Sequence, residues 1–172
     1  GPTAAISFSF SRQSRYLRGR YLKLNRTVPQ SPWVIDGERK GFSSVEEFVT
    51  SPCVQLFRAS SCKFHAEGRE DIDVRMLGAG RPFVIEVQGA RVLAPTCPEL
   101  EAAINAAAHG DVVVRGMRPC GASDMAALQR EAENHTKTYV CVCWSQRPLG
   151  MADLERLRAV RDVEVLQKTP VR

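Results

Sequence analysis

Between Gly68 and Gly78 the chain places Arg69, Glu70, Asp71, Asp73 and Arg75, three carboxylates interleaved with two guanidinium groups. An ionised carboxylate in such a setting can serve as a nucleophile or base, while the arginines hold the phosphates of a polyanionic substrate. The stretch is too charged for a core element and too glycine-bounded for an ordinary helix face. Its charge pattern fits equally a solvated turn closed by internal salt bridges. On this basis any of Glu70, Asp71 and Asp73 could be the reactive acid, or a partner of Arg69, Arg75 or Arg81. Clustered acids can also bind a divalent cation through oxygen, a use that the interleaved arginines oppose.

The elements that must hold this segment are read from periodicity and end signals. Ile6 to Leu24 mixes aromatic, aliphatic and arginine residues, as an exposed strand or hairpin would. Pro29-Gln30-Ser31-Pro32-Trp33 predicts a rigid extended connection. Ser43 or Ser44 then caps a helix, with Glu46 or Glu47 completing a capping box. Val45, Phe48 and Val49 share one face of that helix, which is expected to stop near Ser51-Pro52 and give way to a second short helix through Val54, Leu56 and Phe57. Cys62 to Ala66 delivers a strand to Gly68, and Pro82 to Val87 is a further strand by its β-branched content.

Leu100, Ala103, Ile104 and Ala107 recur at helical spacing between a start at Thr96 to Glu99 and an end at Gly110. Val112 to Met117 reads as a strand, Ser123 opens a helix with Met125, Leu128 and Ala132 inward, and Tyr139 to Trp144 reads as a strand. Met151, Leu154, Leu157 and Arg158 predict one more helix before a strand at Val163 to Leu166. This alternation predicts an α+β fold, a mixed β-sheet flanked by helices. One domain is the economical reading, with residues 1–18 as a basic N-terminal segment and 19–172 as the folded body.

A chain of 172 residues, 44% hydrophobic and 25% charged, is long enough to bury a substantial core. No run approaches the roughly 18 to 20 apolar residues of a membrane span, so no membrane partner is expected. The six cysteines include no C-x-x-C pair, and His65, His109 and His135 lack metal-site spacing. No metal and no cofactor are expected, and the thiols suit a reduced, intracellular protein.

The net charge of +5 is unevenly placed. Arg12, Arg15, Arg18, Arg20, Lys23 and Arg26 all precede the first acid, Asp36. Such a run attracts phosphates in a salt-dependent way, although Ser- and Arg-rich, acid-poor starts also occur in organellar transit peptides. Arg20, Tyr21, Lys23 and Arg26 are the candidates for RNA backbone contact, the alternative being a solvated face.

Three blocks together resemble the archaeal and eukaryotic tRNA pseudouridine synthases that act on the T loop. They are Gly19 to Glu47, Gly68 to Glu86, and the weaker set Lys137-Thr138-Tyr139, Trp144, Gln167-Lys168-Thr169-Pro170 and Arg172. The resemblance implies a catalytic aspartate at Asp71, in the context Gly68-Arg69-Glu70-Asp71. It further implies that Arg69 helps hold the target nucleotide out of the RNA stack and that Tyr139 packs on the flipped base. Extruding a base costs a few kcal/mol, which a planar guanidinium or aromatic ring offsets by filling the gap or stacking. Uracil then detaches, rotates and rejoins through carbon, with no cofactor required.

The resemblance covers the first half or more of that catalytic domain. The Gly-Thr-Tyr-Ile-like motif whose basic residue pairs with the aspartate does not occur in these residues, nor does the family's cysteine metal domain. Little activity is therefore expected of these residues by themselves. The alternative is a non-catalytic RNA-binding module or ribonucleoprotein scaffold, with tRNA or another structured RNA as partner in either case.

Overall fold

The computed structural model describes residues 7–93, 95–134 and 142–164, without the side chains of residues 129 and 132–134. Two compact units divide the chain, residues 1–135 and 136–172.

The first unit is built on a four-stranded sheet in the order β4-β5-β1-β6. Its strands are β1 (Arg15–Lys23), β4 (Ser61–Ala66), β5 (Met76–Gln88) and β6 (Val112–Cys120). The α+β fold expected from the sequence is present, and each of the three pairings is antiparallel. β1 is not an exposed strand, as its arginines suggested, but lies between β5 and β6. The reason is alternation: Leu17, Gly19, Tyr21 and Lys23 all fall on one buried face, leaving Arg18 and Arg20 to the other. Gly19 is required there, because a β-carbon would come within 2.9 Å of the Phe83 ring.

Two helices cover that inner face, α1 (Val45–Phe57) and α2 (Cys97–Ala107), which also pack on each other. The core joins Leu17 and Tyr21 of β1, Phe83, Ile85 and Val87 of β5, and Val112 and Val114 of β6 to helix residues such as Phe48, Phe57, Leu100 and Ile104. Each large apolar side chain buried this way contributes roughly 1.5–3 kcal/mol. A third helix, α3 (Ala122–Asn134), contacts β4 and β5. Val84 and Leu128 are buried outside the main cluster, on this second face. The N-terminal boundary considered at residue 18 falls inside β1.

Helix starts follow the sequence signals. The Ser44 hydroxyl accepts from the Glu47 N–H at 3.2 Å and donates to its carboxylate at 2.7 Å. Thr96 and Glu99 form the reciprocal capping box at the start of α2. The expected break at Pro52 is absent: α1 continues unbroken to Phe57. A proline inside a helix costs about 3 kcal/mol, and burial of Pro52 itself and of Cys53 and Phe57 beyond it outweighs that cost.

The connection after β1 holds a feature that periodicity did not flag. Trp33–Ile35 (β2) and Glu38–Lys40 (β3) form a two-stranded hairpin across Asp36-Gly37, both at positive φ. Asp-Gly between short extended runs is the usual signature of such a turn. In the second unit, α4 (Met151–Ala159) forms where its spacing predicts, but none of its residues is buried. Residues 142–144 are not a strand, and Trp144 is 83% exposed. The remainder of the strand expected from Tyr139, and residues 165 and 166 of the last one, lie outside the described residues, as does the Ala132 side chain; residues 163–164 are not in a strand.

Candidate active site

The acid-arginine segment is the loop joining β4 to β5, residues 67–75. It separates into an inner and an outer set of side chains. Glu67 and Glu70 are buried, whereas Arg69, Asp71, Asp73 and Arg75 are exposed. The inner set is anchored by residues that the sheet and its following connection supply.

Glu70 is the hub. Its carboxylate accepts from the Tyr21 hydroxyl at 2.8 and 2.9 Å and from Arg81 Nε at 2.8 Å. Gln30 Nε2 donates to the Tyr21 oxygen at 2.8 Å and to the Gly68 carbonyl at 3.0 Å. Arg81 also donates to the Glu67 carbonyl. Tyr21 and Arg81 are register partners on β1 and β5, so the strand pairing itself brings them to one face. The Tyr21 ring lies among Phe64 and Phe83, with centroids 6.0 and 6.3 Å away. Burial, followed by the charge of Glu70, raises the Tyr21 pKa well above its usual value. The phenol therefore stays a donor. Breaking a buried, hydrogen-bonded ion pair of this kind costs about 3–5 kcal/mol.

A second anchor comes from Lys23. Its Nζ donates to the carbonyls of Val28 at 3.0 Å, Asp71 at 3.0 Å and Ile72 at 2.8 Å. Burial lowers its pKa, an effect opposed by Glu70, Asp73 and Asp71. The Asp71 carbonyl also accepts from the Val74 N–H at 3.1 Å, which closes a turn over Asp71 to Val74. The backbone of Asp71 is thus pinned from two sides, with its residue at the protein surface. Gly80 completes the support at the loop's exit. It has φ +78°, and a β-carbon there would stand 2.7 Å from the Tyr21 carbonyl.

This arrangement divides the three candidate acids. Glu70 is spent on Tyr21, Gln30 and Arg81, the loop-network role open to it from charge pattern. Asp71 and Asp73 remain as the exposed carboxylates of the loop. Arg69, two positions before Asp71, is also exposed. Of the four residues expected to meet RNA backbone, Arg20 and Arg26 are on the surface. Arg20 donates to the carbonyls of Ala79 and Gly80, both at 2.9 Å. Tyr21 and Lys23 are each 0% exposed and face inward, so in this structure neither side chain is presented to a phosphate. Tyr139 lies outside the described residues.

Sequence reasoning missed Gln30 as a part of the site, and it treated Arg81 only as one of several partners for an acid. For Tyr21 and Lys23 a signal existed: the two-residue period through Leu17 and Gly19 assigns them to the apolar face. For Gln30 no local signal exists, because its partner Gly68 is 38 positions away.

Residues 16–172 match the family model described as Pus10, C-terminal. The chain is 39% identical over 158 residues to the tRNA pseudouridine synthase Pus10 of Xenopus laevis, covering 91% of this chain and 31% of that protein. It is 37% identical to its human counterpart over 172 residues, 98% of this chain and 32% of that protein. With the Archaeoglobus fulgidus protein of the same name it shares 37% over 181 residues, 96% of this chain and 49% of that protein. The chain therefore spans about a third to a half of the length of these relatives. With nearly its whole length matched by the family model and by relatives from archaea to vertebrates, the chain belongs to the Pus10 family and corresponds to its C-terminal region.

Proposed function

We propose that this chain carries the uridine-isomerising site of a tRNA pseudouridine synthase, with Asp71 as the catalytic carboxylate. One observation supports it most: the loop from Glu67 to Arg75 rests on a buried polar scaffold that pins the Asp71 backbone yet leaves its residue on the surface. A catalytic carboxylate gains from such fixed placement, since reactivity depends on near-attack geometry. Arg69 is assigned to the space vacated by the flipped nucleotide and Tyr139 to stacking on the base. Arg20 and Arg26 are assigned to backbone phosphates. Tyr21 and Lys23 serve as positioning residues beneath the loop.

In the reaction the bond from the ribose C1′ to uracil N1 breaks and one from C1′ to C5 forms. The C5 proton leaves and N1 regains one, so no redox partner is needed. Asp71 acts on the ribose or uracil during this exchange as nucleophile or base. The substrate is a structured RNA, with tRNA favoured by the names that the relatives carry.

The test uses the complete protein and a T-loop transcript, with pseudouridine read by mass spectrometry after nuclease digestion. The expected result is conversion by the parent protein and none by Asp71→Asn. Conversion that survives in Asp71→Asn removes the assignment. Tight RNA binding without conversion by the parent protein favours the non-catalytic module instead.

A further inference from the structure

We propose that Arg20 and Arg115 form a paired guanidinium site for one phosphodiester of the RNA backbone, an assignment that rests on the RNA-directed reading above. The two residues are register partners on β1 and β6, so their side chains share the face opposite the core. Both are exposed. Like charges placed directly across two strands destabilise a sheet, and the fold contains this juxtaposition twice. Arg18 stands opposite Arg118 in the same ladder.

The second face owes this pattern to an irregularity. Arg115 and Arg118 are three residues apart, a spacing that sends side chains to opposite faces of a regular strand. The register shifts between Arg18 and Arg20, and Gly116 at φ +66° lies in the corresponding stretch of β6. An extra residue there restores both arginines to one face. The same shift returns Met117 to the core beside Val114.

The two pairs are compensated differently. Arg18 meets a carboxylate, Asp124 Oδ1, at 3.0 Å. Among the described residues neither Arg20 nor Arg115 forms an ion pair. Instead both guanidiniums are oriented by one backbone segment. Arg20 donates to the carbonyls of Ala79 and Gly80, while Arg115 Nη2 donates to the Gly78 carbonyl at 2.5 Å. Those carbonyls use Nε and Nη2 of Arg20 and Nη2 of Arg115, which leaves further N–H groups for an anion.

A phosphate received there would meet two oriented guanidiniums, the arrangement that favours bidentate, charge-assisted hydrogen bonds. The segment that orients them, Gly78 to Gly80, is the exit of the Asp71 loop. Arg20 is three residues from Lys23, which anchors that loop, or about 10 Å along the strand. A backbone contact here would register the RNA relative to the loop without reading its sequence.

The experiment measures affinity of the complete protein for a T-arm hairpin RNA as a function of salt, with uridine conversion followed in the same preparations. Arg115→Ala is expected to weaken binding about tenfold and to reduce the salt slope by about one. Arg115→Lys is expected to keep the slope and recover part of the affinity. Arg118→Ala, whose pair already has Asp124, is expected to change neither. Unfolding midpoints equal to that of the parent protein exclude a folding defect as the cause.

If Arg115→Ala binds with the affinity and salt slope of the parent protein, the site is overturned, and conversion by that variant leaves the catalytic reading standing. If the parent protein converts no uridine but loses affinity and slope at Arg115→Ala, the catalytic reading falls and the phosphate site stands. Competition by inorganic phosphate at constant ionic strength separates the ligand source. Equal displacement by inorganic phosphate and by oligouridylate would overturn the phosphodiester assignment, and displacement by oligouridylate alone supports it.

Discussion

The Asp71 loop and the β2–β3 hairpin are both surface excursions of the first unit, yet they are held by opposite means. Beneath the loop lie Tyr21, Lys23, Glu70 and Gln30, all buried and hydrogen-bonded. The hairpin has an Asp-Gly turn and a short ladder, and all but one of its strand residues are exposed. Its apolar run Trp33, Val34 and Ile35 is 41–57% exposed. Arg39 bridges to Glu47 at the start of α1, a solvent-screened pair that adds little to the hold on the hairpin. One excursion is locked by a polar scaffold that costs several kcal/mol to break, and the other is held mainly by local backbone geometry. The lesson is that a charged surface loop is fixed in place by internal polar anchors, whereas a hairpin can hold itself by its turn and ladder.

The sharpest test of this contrast separates chemistry from support at neighbouring positions. Asp71→Asn is expected to reduce uridine conversion roughly 10³-fold or more, while moving stability by less than about 0.5 kcal/mol as an exposed substitution. A urea titration beside the activity assay would show both. Destabilisation as large as the activity loss would make Asp71 part of the scaffold instead.

Next in size is the hub. Glu70→Ala strands the Arg81 guanidinium and the Tyr21 hydroxyl, and is expected to cost about 3–5 kcal/mol in urea unfolding. Glu70→Gln keeps an acceptor and should cost less. Equal and small losses in both would mean that the loop does not depend on this ion pair.

A smaller effect is expected at Lys23. Lys23→Met removes a shared donor from the carbonyls of Val28 and Ile72 and one of two donors from that of Asp71, for a loss of about 1–3 kcal/mol. Faster amide exchange confined to residues 71–74 would locate the loosened segment. Unchanged exchange there would break the link between Lys23 and loop order.

Tyr21 offers a test by pH. Its folded-state pKa is raised above the unfolded value of about 10, so both states keep the proton at lower pH and the stabilisation is complete there. Above pH 10 the unfolded chain ionises first, and stability falls as pH rises toward the folded pKa. The urea midpoint should therefore decline more steeply above pH 10 in the parent protein than in Tyr21→Phe. Identical slopes would remove Tyr21 as the linked group.

The smallest effect belongs to the hairpin. Val34→Ala is expected to shift stability by no more than about 0.5 kcal/mol. A loss near that of Glu70→Ala would erase the contrast between the two excursions.

Much of this could be read locally. Ser44 and Thr96 as helix starts, β4 up to Ala66 and the charged loop itself follow from residue type and spacing within a few positions. The continuation of α1 through Pro52 did not, because local propensity counts the lost hydrogen bond but not the burial of Phe57. The inward turn of Lys23, signalled by strand alternation, was masked by its charge, since a buried ammonium is tolerable only with the carbonyls of Val28, Asp71 and Ile72 around it. The Asp-Gly turn of the hairpin was legible but unread.

What the sequence determined by itself was the supply of chemistry. It placed an acid-arginine segment between two strand-forming runs, a basic approach before it, and a family likeness that makes Asp71 a candidate. The tertiary structure decided how that chemistry is divided. Side-chain alternation on β1 sends Tyr21 and Lys23 inward and Arg20 outward, and register with β5 and β6 gives each its partner. Glu70 becomes a strut and Asp71 stays at the surface for the same physical reason. A buried carboxylate must be paired, and only the folded chain decides which of two adjacent acids is buried.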